Sequence, residues 1–288
     1  MSSNVPATPS AMTPQDWWAT AIIDMKPGMI RYRGYAAEEL IGRVGFAEMV
    51  YLLTRGELPD PAAAKLLEAA LVAAVDHGPQ APSIAAARMA ITCGVGINNA
   101  MASAINMLGD VHGGAGEQCV TLYNAIAARM GSGPVNQARL AQAVSAEIKA
   151  LAEAGTRHVP GFGHRFHPRD PRAPRLLALV EAAAVGGAVS GRFAAIGRTI
   201  EAQLAAEKGR AIPMNIDGAT GVVFAELGFA PALCRGLFVL SRSVGALASG
   251  RAQQRSNPAP SDLDLYWSAC AQACRGVAAR LRPGLLLS

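Results

Sequence analysis

Apolar positions recur along most of this chain at helical spacing. Phe46, Met49, Val50 and Leu53 fall on one face of a helix, Gly56 lies just past its end, and Pro59 closes the turn. Asp60-Pro61 then caps a second helix that runs to about Val75, with proline at its first position. Small residues dominate from Pro82 to about Leu108; they let helices approach closely and point to a central or interface helix. Further helices are expected over 114–130, 135–153, 173–188, 190–208, 220–227, 231–254 and 262–280, with glycine- and proline-rich breaks at 131–134 and 256–260. Strand signal is confined to Ala21-Ile22-Ile23-Asp24, a Lys26-Pro27-Gly28 turn and Met29-Ile30-Arg31-Tyr32, which reads as one hairpin. The expectation is an all-α chain with one short N-terminal β-hairpin and no internal repeat.

Composition narrows this picture. The 288 residues are enough for one large domain or two smaller ones. Apolar residues make up 51% and charged residues 16%, an oily balance. No window offers the roughly 18 uninterrupted apolar residues of a bilayer span, so the balance points to surface buried between subunits of a homo-oligomer. The start of the chain lacks the basic flank and apolar stretch of a secretory signal, and 1–12 reads as a loose tail. Five cysteines without framework spacing read as reduced, buried thiols in a cytoplasm. A net charge of +5 without basic–aromatic runs argues against nucleic acid. Much of the arginine clusters near the glycine-rich turns, which suits small polyanions.

Three of the five histidines sit beside glycine in tight turns: Asp76-His77-Gly78, Val111-His112-Gly113-Gly114 and Gly161-Phe162-Gly163-His164-Arg165. A fourth such turn, Asn215-Ile216-Asp217-Gly218, holds an aspartate. Polar side chains on tight connections are where a rigid scaffold presents chemistry, and the set points to acid–base work on a small charged substrate. His164, with arginines in the same loop, reads either as a hydrogen-bond donor to a carbonyl or as part of a solvated basic loop. His112, ahead of an apolar helix, reads as a neutral imidazole facing a developing enolate or as a capping residue. Asp217 alone reads as a helix N-cap, and His77 as a helix-terminating turn; the joint occurrence of four turns favours chemistry. Metal is disfavoured by the lack of any HxxxH, HExxH or CxxC spacing.

In the same order along the chain stand Ile30-Arg31-Tyr32-Arg33-Gly34-Tyr35, Gly56-Glu57-Leu58-Pro59, Val111-His112-Gly113-Gly114-Ala115, Gly161-Phe162-Gly163-His164-Arg165 with Asp170-Pro171-Arg172, Asn215-Ile216-Asp217, and Ser241-Arg242-Ser243-Val244-Gly245. This ordered set resembles the citrate synthase superfamily over roughly residues 24–258. Asp76-His77-Gly78-Pro79, Asn215-Ile216-Asp217-Gly218 and the short interval before His77 resemble citryl-CoA lyase and the C-terminal module of ATP-citrate lyase more than a full synthase. No ATP-grasp or CoA-ligase segment is read in the chain, so ATP-driven activation of citrate is not expected.

The resemblance implies a citrate synthase-like fold. Its large helical domain would be residues 15–130 and 220–288, its smaller CoA-binding domain 131–219, and its assembly a homodimer or higher homo-oligomer. It implies cleavage of citryl-CoA to acetyl-CoA and oxaloacetate, or the reverse, with a coenzyme A thioester as substrate and no tightly bound cofactor. By the same resemblance Asp217 exchanges the methyl proton, His112 stabilises the enolate and His164 holds the oxaloacetate carbonyl. Arg172 and Arg242 would grip carboxylates, His77 would add a hydrogen bond, and Arg255 (or Arg251) would reach a partner subunit. Arg165, Lys208 and Arg210 would meet the phosphates of coenzyme A. The loop from His164 to Arg172 is one residue shorter than the usual synthase pattern, so Arg169 competes with Arg172. The alternatives are a synthase or related condensing enzyme, a non-catalytic CoA- or citrate-binding subunit, and a structural helical dimer.

Overall fold

The computed structural model describes residues 13–164 and 167–256. The expected tail at 1–12, the helix over 262–280, Cys270 and Cys274 lie outside the described residues. The chain groups into two compact units, one of Met1–Ala73 with Gly116–Cys234 and the other of Ala74–Ala115 with Arg235–Ser288.

The first unit opens with α1 (Pro14–Trp18) and a three-stranded antiparallel sheet of β1 (Ile23–Lys26), β2 (Met29–Tyr32) and β3 (Tyr35–Ala36), which leads into the single turn of α2 (Ala37–Leu40). The hairpin foreseen from sequence therefore gains a third strand. Arg33 and Gly34, both at positive φ (50° and 90°), turn β2 into β3 in two residues, the twist that a tight hairpin requires. The Arg33 side chain donates to Leu53 O at 2.8 and 3.3 Å, tying the sheet to α3 (Phe46–Arg55).

Gly56 ends α3 in the left-handed region, as its position predicts. Asp60 Oδ1 then accepts from the Ala62 and Ala63 amides at 2.8 and 2.9 Å, capping α4 (Pro61–Ala73). The unit continues with α7 (Ala115–Met130), α8 (Gln137–Glu153), α9 (Arg172–Val185), α10 (Arg192–Lys208) and α11 (Ile216–Glu226), of which α9 and α11 pack against α4 and against each other. Leu67, Tyr123, Ile126, Leu140, Val180 and Ile200 have almost no exposed surface.

The most enclosed element is α11, buried at nine of its positions from Ile216 to Ala225. Its glycines and alanines allow neighbours on every side. At its C-terminal end, Glu226 reaches the start of α10 and accepts from the amides of Ser190, Gly191 and Phe193 at 3.0, 3.0 and 2.7 Å, and from Ser190 Oγ at 2.7 Å. Gly191, the residue before α10, has no capping side chain of its own, so a carboxylate from another helix satisfies the orphan donors.

In the second unit the small-residue stretch is two helices rather than one. α5 (Pro82–Thr92) and α6 (Ile97–Asn106) pack together, separated by Cys93-Gly94-Val95-Gly96. Gly94 takes φ +82° and reverses the chain, a conformation an L side chain rarely adopts. Cys93, expected to be buried, is exposed at this break, while Cys119 and Cys234 are buried as expected.

α12 (Pro231–Ser256) runs on from the first unit into the second. By length and composition it is able to cross a bilayer, with mean hydropathy 1.2 in its most apolar window. However, its buried positions include Ser241, Arg242 and Gln253 alongside Ala246, the mixture of a helix packed in protein.

Replacing Glu226 with alanine should leave the α10 amides unsatisfied and destabilise the protein by about 2 kcal/mol. Urea unfolding followed by circular dichroism measures this; an unchanged midpoint would deny the cap any stabilising part.

Candidate active site

α11 begins four residues earlier than the expected start at Thr220. Its N-cap is Asn215, whose Oδ1 accepts from the Asp217 and Gly218 amides at 3.0 and 3.2 Å. The capping role open to Asp217 is thus filled by its neighbour, and Asp217 stands in the first turn, where helix dipoles favour a carboxylate. Asn215 Nδ2 also donates to Gly163 O at 2.7 Å. The Asn215 amide donates to Gly161 O at 2.9 Å, and the Gly163 amide to Pro213 O at 2.7 Å. The loop carrying His164 is therefore laced to the segment carrying Asp217.

That lacing needs glycine. A Cβ on Gly161 would stand 2.4 Å from Cys119 Sγ and 2.6 Å from Gly218 Cα, at φ +81°. A Cβ on Gly218 would stand 2.5 Å from Gly161 O. Beneath them Tyr123, fully buried, donates its hydroxyl to Gly218 O at 3.1 Å. Burial and, secondarily, the charge of Asp217 push the Cys119 thiol well above its ordinary range, so Cys119 stays protonated next to the carboxylate.

His164 accepts the His167 amide on Nδ1 at 3.0 Å. In the neutral ring the proton then sits on Nε2, which is left as a donor. Burial lowers the pKa of His164, and the nearby His167 and Arg172 charges assist against the opposing pull of Asp170. Arg172 spends much of its guanidinium on protein acceptors: Nε and Nη2 bind the two Asp170 oxygens at 2.9 and 2.8 Å, and Nη1 donates to Ala73 O at 3.2 Å. Asp170 also takes the Ile216 amide at 3.1 Å. Burial alone would raise its pKa, but these hydrogen bonds and the Arg172 charge win and hold it below the usual carboxylate range.

The second unit holds the other group of predicted residues. His112 Nε2 accepts the Ser83 amide at 3.2 Å and lies 2.9 Å from Ser83 Oγ. Ser83 is the second residue of α5, which has no side-chain cap at Ala81. His112 therefore meets the N-terminus of α5, in addition to preceding α7 by three residues as the sequence suggests. An Nε2 that accepts an amide leaves the proton on Nδ1. Burial, then the charge of Arg242, lowers its pKa, so the ring is neutral.

Arg242 is buried, donates through Nε to Ala74 O at 3.2 Å and lies over the Phe238 ring at 4.8 Å. The Gly245 amide donates to Val75 O at 3.1 Å, where a Cβ on Gly245 would collide at 2.2 Å. Arg242 and Gly245 thus fix the segment that leads into Asp76 and His77.

The other predicted residues that are described are exposed. Lys208 and Arg210 flank Gly209 at the exposed end of α10, and Arg251 and Arg255 are exposed on the last turns of α12. Arg169 is exposed beside Asp170. Arg165 lies outside the described residues. Among the described residues no group of three His, Cys, Asp or Glu is placed to hold a metal ion. Ser83, Cys119, Tyr123 and His167 escape sequence reading, because each acts through a partner distant in sequence or through its backbone.

Residues 11–63 and 59–260 match the family described as citrate synthase, C-terminal domain. The citrate synthase of Acidithiobacillus ferridurans is 29% identical over 218 residues, covering 73% of this chain and 52% of that protein. That of Haloferax volcanii is 31% identical over 214 residues, again covering 73% and 52%. The chain thus spans about half the length of these curated relatives. Among solved structures, citryl-CoA lyase from Hydrogenobacter thermophilus superposes with TM-score 0.71 at 28% identity, over 82% of this chain and 87% of that one.

Each unit yields one prediction. Gly161→Ala should destabilise the protein by about 3 kcal/mol, since the methyl meets backbone at a positive φ; a urea midpoint near that of the parent protein would contradict it. The second concerns acid. The pKa of His112 is lowered on folding, so below about pH 6.5 the unfolded ring binds protons that the folded ring refuses. Stability should fall on acidification through that range and stay flat above it. Thermal unfolding from pH 8 to 5.5 should show a weaker dependence in His112→Gln; equal slopes would contradict the assignment.

Proposed function

The chain belongs to the citrate synthase family, and on that premise we propose that it cleaves citryl-CoA to acetyl-CoA and oxaloacetate, or runs the reverse condensation. The observation that carries this lies in the first unit, where the loop of His164 is laced to the segment that holds Asp217 in the first turn of a buried helix, and where His164 spends Nδ1 on the His167 amide and so offers Nε2–H; in the second unit His112 spends Nε2 on the Ser83 amide and so offers Nδ1–H. Such a set supplies two donors for developing oxyanions and one base, which is what carbon–carbon chemistry beside a thioester demands.

In the condensing direction Asp217 takes a proton from the methyl carbon of acetyl-CoA, and His112 Nδ1–H steadies the enolate oxygen. The carbanion then attacks the carbonyl of oxaloacetate, to which His164 Nε2–H donates. The alkoxide so formed takes a proton from water, and Asp217 later releases its own to water; cleavage is the reverse, the citryl hydroxyl releasing its proton to water as the carbon–carbon bond breaks and Asp217, protonated beforehand, delivering its proton to the methyl carbon. A neutral donor suits the enolate because it stabilises the oxygen without surrendering its proton early.

Arg242, with His77 on the segment that it anchors, binds substrate carboxylate. Arg172 contributes both to that grip and to the order of the loop through Asp170, with Arg169 as its competitor. Lys208, Arg210 and Arg165 take the coenzyme A phosphates, and Arg255, or Arg251, serves the site of a partner subunit in a homodimer. The functional domains are residues 15–130 with 220–288, and 131–219. The coenzyme A thioester is a substrate and no bound cofactor is required; the cytoplasm is the proposed location. Support for the lyase reading over a synthase comes from the Hydrogenobacter citryl-CoA lyase, of which this chain covers 87%. The curated synthases, of which it covers about half, support the condensing alternative.

Supplying citryl-CoA, with oxaloacetate followed by malate dehydrogenase and NADH and free CoA assayed in parallel, separates the readings. Oxaloacetate without stoichiometric free CoA is expected. Free CoA and citrate would instead make the chain a synthase, and neither product would leave a binding subunit. Asp217→Asn should reduce turnover by about a thousandfold with an unchanged circular dichroism spectrum; retained activity would remove Asp217 as the base.

A further inference from the structure

His167 has no part in the reaction above, yet it meets His164 twice. Its amide donates to His164 Nδ1 at 3.0 Å, and the two ring centroids lie 4.6 Å apart with their planes inclined by 44°. The residue that follows is Pro168, which restricts His167 to extended backbone and so limits where its amide can aim. His167 is exposed and His164 half-buried.

We propose that His167 is a positioning residue for His164: its amide selects the ring nitrogen that carries the proton, and its imidazole braces the His164 ring. This rests on His164 being the carbonyl-binding group. Two like charges at the observed ring separation repel, so the pair resists a second proton. Asp170 pulls the other way on His164, while Arg172 works with His167. The outcome is an Nε2–H donor that persists as the solution is acidified.

The test is nitrogen-15 NMR of histidine-labelled protein without ligand, which needs no assumption about the reaction. In the parent protein, neutral His164 should show Nε2 protonated and Nδ1 bare. His167→Gln keeps the amide and removes the charge; the tautomer should persist and the His164 titration should move to higher pH. His167→Pro removes the amide; the tautomer preference should be lost, and kcat/KM with citryl-CoA should fall about tenfold, the loss of one net hydrogen bond. A His164 ring protonated on Nδ1 in the parent protein, or an unmoved titration in His167→Gln, would overturn the proposal. If the NMR results hold but the acid limb of the rate profile fails to follow the His164 titration, the histidine pair stands and the carbonyl-binding role of His164 falls.

Discussion

Asp170 has no exposed surface, and its two oxygens serve four donors: the amide, Nε and Nη2 of Arg172, and the amide of Ile216. One carboxylate therefore fixes the first residue of α9, the guanidinium of Arg172 and the first residue of α11. Removing a carboxylate from water is costly, and that cost is offset only when every lone pair finds a partner in good geometry. Here the partners are an arginine fork and two helix N-termini, whose dipoles favour an anion. The position of Asp217, one residue into α11, is inherited from this buried ion.

Close backbone approach is the second constraint. Gly161 against Gly218, and Gly245 against Val75, bring chain segments together at distances no Cβ would tolerate. The hydrogen bonds that lace these segments, Asn215 to Gly161 and Gly245 to Val75, exist only because the side chains are missing. Rigidity of this kind serves the proposed function, since a thioester α-proton is a weak acid and base and oxyanion donors must be pre-placed.

Electrostatics then sorts the imidazoles. Each histidine has one nitrogen committed to a backbone amide, Ser83 for His112 and His167 for His164. The amide leaves the other nitrogen as donor, and burial with neighbouring positive charge keeps both rings neutral. Which nitrogen each ring offers as a donor follows from which one it has spent.

The sequence alone determined the helical class, the hairpin and the caps at Gly56 and Asp60, because these follow from spacing and from local hydrogen bonds within a few residues. It also singled out His112, His164 and Asp217, since glycine beside a polar residue records a local backbone demand. The break at Gly94, the third strand at Tyr35, and the N-cap on Asn215 rather than Asp217 were left to the folded chain, as propensity does not rank competing turns. Only the tertiary structure decided the tautomers, the burial of Asp170 and the commitment of Arg172 to it. Each depends on a partner such as Ser83, Ala73 or Ile216 that lies far away in sequence or acts through its backbone, and such a partner leaves no pattern in the residues themselves.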